Sequence, residues 1–303
     1  MMISYRNIFH RFPGRVIFSL AVFGAFLAGE TAAAEVRMQD TGRLHAGHSL
    51  QADREPSVGL EMAPSTARAG ITTSLFFTVK DAEGNPIRNL TVSHERILHV
   101  IIISKDFSVF AHIHPEDFIP ASSLAKTDKY ELRYVFPKAG EYLIAADFAV
   151  KDVLFSRRVR VTVEGEPPMS MIREDFSRIK DFGDYRVVLD APERVSAGHK
   201  TVLGYQVSEK GIPVTDLEPH LGAPMHLSII LTDLNRFIHA HGYRPGSESH
   251  AHPIGHIHGT VRERYGPEID AEVVFPMKGI YKVFSEIKHK GKVRLLDFFV
   301  NVE

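Results

Sequence analysis

The sequence predicts an all-β protein: two tandem antiparallel β-sandwich domains after an N-terminal signal segment. Three observations carry this expectation. Short β-branched and aromatic runs recur with turn residues between them. The order of those runs occurs twice along the chain, which marks an internal duplication. Each copy exceeds a hundred residues, enough for a core of its own.

The first element is a leader. Arg6, Arg11 and Arg15 precede an apolar stretch from Val16 to Ala28, followed by Thr31-Ala32-Ala33-Ala34. This basic, apolar, small-residue order is that of a secretory signal, with cleavage expected after Ala34. Residues 1–34 are therefore assigned as signal peptide, and the mature chain as periplasmic or secreted. No later segment approaches the roughly twenty apolar residues of a membrane span. Cleavage leaves 33 basic against 36 acidic residues, a near-neutral balance that gives no electrostatic claim on nucleic acid. The chain has no cysteine, so neither disulfides nor thiolate ligands are available.

Residues 35–56 are polar and aperiodic and read as a flexible arm, with His45 and His48 in it. The first sandwich, 57–164, is expected to use strands near 71–79, 97–103, 109–113, 130–136, 142–148 and 153–163. Glu83-Gly84-Asn85-Pro86 and Lys138-Ala139-Gly140 supply turns between them. Glu164-Gly165-Glu166-Pro167-Pro168 ends the last strand, so 165–183 reads as a linker with a short helical turn near 172–179. The second sandwich, 184–303, repeats the plan with strands near 185–189, 201–207, 226–232, 236–240, 272–275, 280–287 and 293–302.

The duplication is sharpest where it carries histidine. Leu98-His99-Val100 through His112-Ile113-His114-Pro115 returns 127 residues later as Met225-His226-Leu227 through His239-Ala240-His241-Gly242. The pattern His-x12-His-x-His thus occurs twice, as His99, His112, His114 and as His226, His239, His241. With a tight turn at Lys105-Asp106, the hairpin would set His99 opposite His112, and its repeat would set His226 opposite His239. Opposed side chains on one face lie ~5 Å apart. His114 and His241, two residues further on, return to that face. Ile101, Ile103, Phe110, Ile230 and Phe237 share it, so the histidines border an apolar layer. Asp106 and Asp233 read as turn residues bonding their own backbone.

A lone histidine beside a core is most often hydrogen-bonded structure, but three converging imidazoles each bring a lone pair that one cation satisfies jointly. All-nitrogen sets suit Cu²⁺, Zn²⁺ or Ni²⁺, with copper highest in the divalent affinity order. Copper is the first choice, zinc or nickel the others, and proton competition is expected below about pH 6 for imidazoles of ordinary pKa. Downstream, Phe136-Pro137, Gly140 and Tyr142 return as Phe275-Pro276, Gly279 and Tyr281 at a spacing of 139, so copy two has gained twelve residues within 242–271. That insertion holds His250, His252, His256 and His258, further candidate ligands on a loop. His94 and His220 precede the two hairpins but align one position apart, which ranks them below the triads. Met225 should face the core, and Met169 and Met171 lie in the linker.

The blocks HVIIISKDFSVFAHIHP and VFPKAGEY, repeated as MHLSIILTDLNRFIHAHG and VFPMKGIY, resemble the exported YtkA-like, heavy-metal-associated domains. The resemblance implies tandem immunoglobulin-like antiparallel β-sandwich domains outside the cytoplasm and favours metal handling. Gly242 departs from it, standing where copy one has Pro115.

The function expected is exported, divalent metal binding, most of all copper binding, buffering or transfer, with a metal-delivery protein as a partner. The first alternative is a non-catalytic structural or adhesive tandem sandwich. The second is a metalloenzyme of cupin type, because His256, His258 and Glu263 match a His-x-His-x4-Glu spacing, although its flanking glycines and downstream third histidine are missing. No nucleophile elbow, phosphate loop or paired-carboxylate signature is present, and no catalytic residue is assigned.

Overall fold

The computed structural model describes residues 35–40, 55–124, 127–166, 172–247 and 263–303. The signal segment, His45, His48, Met169, Met171 and the insertion histidines His250, His252, His256 and His258 lie outside the described residues. No helix among the described residues is long and apolar enough to cross a membrane.

The first sandwich is built from β1 (Val36–Arg37), β2 (Gln39–Asp40), β3 (Ser57–Ala63), β4 (Thr72–Lys80), β5 (Leu98–Ser104), β6 (Phe110–Ile113), β7 (Tyr130–Val135), β8 (Gly140–Val150) and β9 (Val153–Val163). One sheet runs β1-β3-β4-β7 and the other β2-β9-β8-β5-β6. All pairings between these strands are antiparallel. Lettered A, B, C, C′, E, F and G from β3 to β9, this is an A-B-E sheet facing a G-F-C-C′ sheet, an immunoglobulin-like topology. Leu75, Phe77 and Leu132 of one sheet pack against Val100, Ile102 and Ile144 of the other. A tyrosine corner closes the E–F connection: the Tyr142 hydroxyl donates to the Lys138 carbonyl at 2.9 Å.

The second sandwich comprises β10 (Ile179–Phe182), β11 (Tyr185–Asp190), β12 (Lys200–Glu209), β13 (Ile212–Pro213), β14 (His226–Leu231), β15 (Phe237–Tyr243), β16 (Glu268–Val274), β17 (Gly279–His289) and β18 (Lys292–Val302). Its strand order is β10-β11-β12-β16-β15-β14-β17-β18, with β13 beside β12. The two layers are the same, and the corner recurs as Tyr281 donating to Met277 at 2.8 Å. Here the layers join, because Gly242 and Tyr243 leave β14 and pair with Ala271 and Asp270 of β16. In copy one Pro115 ends β6 and opens a 3-10 turn over Pro115–Asp117 instead, since proline cannot donate to a continuing ladder.

Four expectations are corrected. The start of the arm is not loose: β1 pairs with β3, β2 pairs with β9, and Met38 between them is buried. The linker is shorter than 165–183, because Ile179–Phe182 forms a hairpin with β11. Residues 172–178 form no helical turn. Finally, the hairpin register is shifted by two. Val100 pairs with Ile113, which sets His99 level with His114 rather than His112, and His226 pairs with His241 rather than His239.

The cause of the shift lies in the loops, which hold four residues rather than two. Phe107 and Leu234 sit at φ 58° and 62° and are buried under the neighbouring domain. Asp106 accepts from Ser104 Oγ at 2.6 Å, and Asp233 accepts from the Asn235 backbone at 2.7 Å, in their expected turn roles. A shift of two keeps every side chain on its face, so the histidines still converge.

β5 and β14 are buried on both sides. Leu98, Val100 and Ile102 enter the core of the first sandwich, while Ile101 and Ile103 join Leu143, Ala145, Ile230, Phe237, Phe284 and Phe299 in a third apolar cluster between the domains. Phe110 stacks on Phe284 with centroids 4.6 Å apart. Arg160 donates to the Asp233 carbonyl and to Asn235 Oδ1, each at 2.7 Å, which ties β9 to the second hairpin loop. The two G-F-C-C′ sheets are thus docked face to face, and the histidines lie at the border of that contact.

Candidate metal centre

Strands β5, β6 and β8 set the first half of the site. His99 on β5, His112 on β6 and His114 just beyond it share one face, and Asp147 on β8 pairs with His99 in the ladder. Three ring nitrogens turn inward: His99 Nδ1, His112 Nε2 and His114 Nε2. They stand 3.1 Å (His99–His112), 3.2 Å (His114–His99) and 3.2 Å (His114–His112) from one another.

Their outer nitrogens fix the protons. His99 Nε2 donates to the Ser93 carbonyl at 2.9 Å, His112 Nδ1 to Glu286 Oε2 at 2.7 Å, and His114 Nδ1 lies 3.3 Å from Asp117 Oδ2. A carbonyl or carboxylate has no proton to give, so each outer nitrogen carries the ring hydrogen and each inner one is left as a lone pair. Three lone pairs within van der Waals distance repel unless something positive lies among them. Ligands at a metal–nitrogen distance of about 2.0–2.1 Å in a tetrahedron lie about 3.3 Å apart, close to the spacing found. The outer carbonyl and carboxylates are the partners that orient metal-bound imidazoles.

The second half follows the same plan. His226 Nδ1 lies 3.2 Å from His239 Nε2. His226 Nε2 donates to the Leu221 carbonyl at 3.2 Å, and His239 Nδ1 to Asp147 Oδ2 at 2.7 Å. The His241 ring lies 4.5 Å from that of His226 and 4.7 Å from that of His239.

His94 joins this half from the other domain. Its ring is 3.9 Å from that of His241, and His94, His226 and His241 offer ligand nitrogens all within 4.8 Å of one another. His94 sits at the tip of a turn between Ser93 and Arg96, with φ 49°, followed by Glu95 at 66°. The matching turn in copy two places Leu221 and Gly222 there. Left-handed backbone at a non-glycine residue costs roughly 1–2 kcal/mol. His220, one position earlier in that turn, lies 5.7 Å ring to ring from His226.

Burial sets the protonation. His99 and His112 are held well below the ordinary imidazole pKa, first by desolvation and then by neighbouring imidazoles, and His226 likewise. Burial pushes His220 down to about 4. Burial raises Glu286. At Asp117 burial also pushes upward, but hydrogen bonds from His114 outweigh it and hold the carboxyl low. Neutral imidazoles are the form that binds metal.

The first triad therefore assembles as expected. In the second half the rings of His226, His239 and His241 also gather, but the three ligand nitrogens within 4.8 Å of one another are those of His94, His226 and His241, with His94, ranked low from sequence, in the place expected for His239. Sequence reasoning missed Asp147, Glu286 and Asp117. The spacing of 139 that links Tyr142 to Tyr281 also links Asp147 to Glu286, and an acid at the same place in both copies was the available signal. Met225 is buried in the second core, as its parity predicts. Glu263 accepts from the Tyr265 hydroxyl at 2.6 Å.

Fold and site together define a tandem immunoglobulin-like sandwich with a histidine cluster between its domains. The chain belongs to the family described as Domain of unknown function (DUF8832), which matches twice, over residues 52–165 and 180–303, once per sandwich. No curated protein matches. Among solved structures, domains 4 and 5 of the S-layer protein SbsC are similar at 14% identity and a TM-score of 0.22, over 82% of this chain and 97% of that one. Trypsin-activated alpha-2-macroglobulin from Escherichia coli is similar at 10% identity and a TM-score of 0.26, over 87% of this chain and 17% of that one. Invasin, a bacterial integrin-binding protein, is similar at 10% identity and a TM-score of 0.20, over 80% and 38%. At such TM-scores none of the three bears on function.

Proposed function

We propose that this is an exported metal-binding protein that captures, buffers or passes on a divalent ion, copper first and zinc or nickel next. The observation that supports it is the set of inward lone pairs on His99, His112 and His114, each fixed by an outer acceptor. Packing alone gives no reason to aim three acceptors at one point. Two carboxylates, Asp147 and Glu286, are also held in the interface, and among the described residues neither pairs with a lysine or arginine. Buried negative charge of this kind is costly without a cation.

The basic-apolar-small leader supports export to the periplasm or beyond, and the blocks that resemble YtkA-like domains point the same way. The insertion histidines suit handing an ion to a delivery partner. Elemental analysis of the purified chain, with copper, zinc and nickel titrations, tests the proposal. Stoichiometric, tight uptake is expected. A chain that takes up none of the three is a structural or adhesive sandwich instead.

A further inference from the structure

We infer that the two triads form one paired-cation centre in which each domain completes the other's site, with Asp147 and Glu286 exchanged across the interface as positioning residues. This rests on the metal-binding reading above and goes beyond two independent sites. Asp147 belongs to the first domain yet bonds His239 of the second at 2.7 Å. Glu286 belongs to the second yet bonds His112 of the first at 2.7 Å. Asp147 matches Glu286, and His112 matches His239, in the repeat. The contact is therefore reciprocal, the signature of an approximate two-fold between unlike halves of one chain.

The rings from the two halves interleave. His99 lies 5.9 Å from His239, His112 lies 6.1 Å from His239, and His112 lies 6.1 Å from His226, centroid to centroid. At these separations the rings of the two triads are near neighbours. Two divalent ions would sit side by side, with one carboxylate exchanged from the other domain per ion balancing part of their charge. The first-domain residue His94 reaches the second half, where its ligand nitrogen lies within 4.8 Å of those of His226 and His241, while the second-domain His220 lies close enough to His112 and His114 of the first half for their charges to act on it.

The test uses the full-length chain and cupric ion alone. Two equivalents are expected, and the second should broaden the electron paramagnetic resonance spectrum of the first through spin coupling. A spectrum that is the sum of two isolated ions overturns the pairing. In a chain carrying His112→Ala and His114→Ala, the remaining equivalent belongs to the second triad. Adding Asp147→Ala there should weaken it about 10–100-fold, the usual cost of losing a ligand's carboxylate partner. The mirror set, His239→Ala and His241→Ala with Glu286→Gln, should weaken the first triad's ion. Asp147→Asn, which keeps shape and loses charge, serves if the alanine variant fails to fold by circular dichroism. Unchanged affinity in these carboxylate variants overturns the exchange, while a wild-type chain that binds no copper, zinc or nickel overturns the metal-binding reading itself.

Discussion

His99 and His226, the same position in the two copies, face each other across the domain interface with ring centroids 6.5 Å apart and planes 19° from parallel. Duplication alone would leave two copies of a site on separate surfaces. Here the face that carries the histidines is also the face that docks, because Ile101 and Ile103 alternate with His99 along one strand and Ile230 follows His226 along the other. Apolar burial brings the sheets together, and the imidazoles are carried inward with it.

If each triad holds one ion, substituting one should leave the other's ion in place. His99→Ala, His112→Ala and His114→Ala together should lower the bound metal from two equivalents to one after dialysis, measured by elemental analysis. Retention of two would place the first ion elsewhere.

Docking by apolar contact predicts a large cost for truncating its centre. Phe284 is fully buried, stacks on Phe110 and lies 6.4 Å from Phe107. Phe284→Ala should cost about 3–5 kcal/mol through lost transfer energy and the cavity left behind. Urea unfolding monitored by circular dichroism reads the loss. A change under 1 kcal/mol, the scale of an exposed site, would mean that the domains separate in solution.

Much of this was legible in the sequence because the repeat reports contact twice. Strand runs, the face shared by His99, His112 and His114, and the turn roles of Asp106 and Asp233 all follow from period and spacing. The register did not, because Phe107 and Leu234 lengthen the turns for the sake of the neighbouring domain, a partner invisible to local pattern. For the same reason Asp147 and Glu286 escaped notice, since each serves a histidine of the other copy. The unbroken run from Val100 to Ile103 did hold a clue: a strand apolar on both faces needs a cover on both faces.

Burial predicts how the metal-free protein responds to acid. His99, His112, His220 and His226 have folded-state pKa values below the unfolded value near 6.5. Below about pH 6.5 the unfolded chain therefore binds more protons than the folded one, so stability falls as pH drops through that window and is flat with respect to these groups above it. Thermal melts of the metal-free chain from pH 8 to pH 5 should show this slope. At His99, His112 and His226 the same depression weakens the proton as a competitor for metal relative to ordinary imidazoles. Copper affinity should thus hold between pH 7 and pH 6, and a tenfold loss across that interval would contradict it.

The two copies differ at one position in a way that can be tested by itself. Gly242 lets β15 run on past His241 to reach β16, where copy one turns away at Pro115. A Cβ placed at 242 would meet Ile269 Cγ2 at 2.6 Å and Met225 Cβ at 2.9 Å, both in the second core. Gly242→Ala should therefore destabilise the chain by about 1–3 kcal/mol through overpacking, even though alanine is favoured over glycine in most strand positions. Because His241 is the adjacent residue, the shift needed to admit the methyl should also displace its ring, and the second equivalent of metal should bind more weakly than the first. Denaturant unfolding and a copper titration on this variant read the two effects separately. Wild-type stability together with wild-type affinity would show that the close approach of β15 to Met225 and Ile269 does not hold in solution.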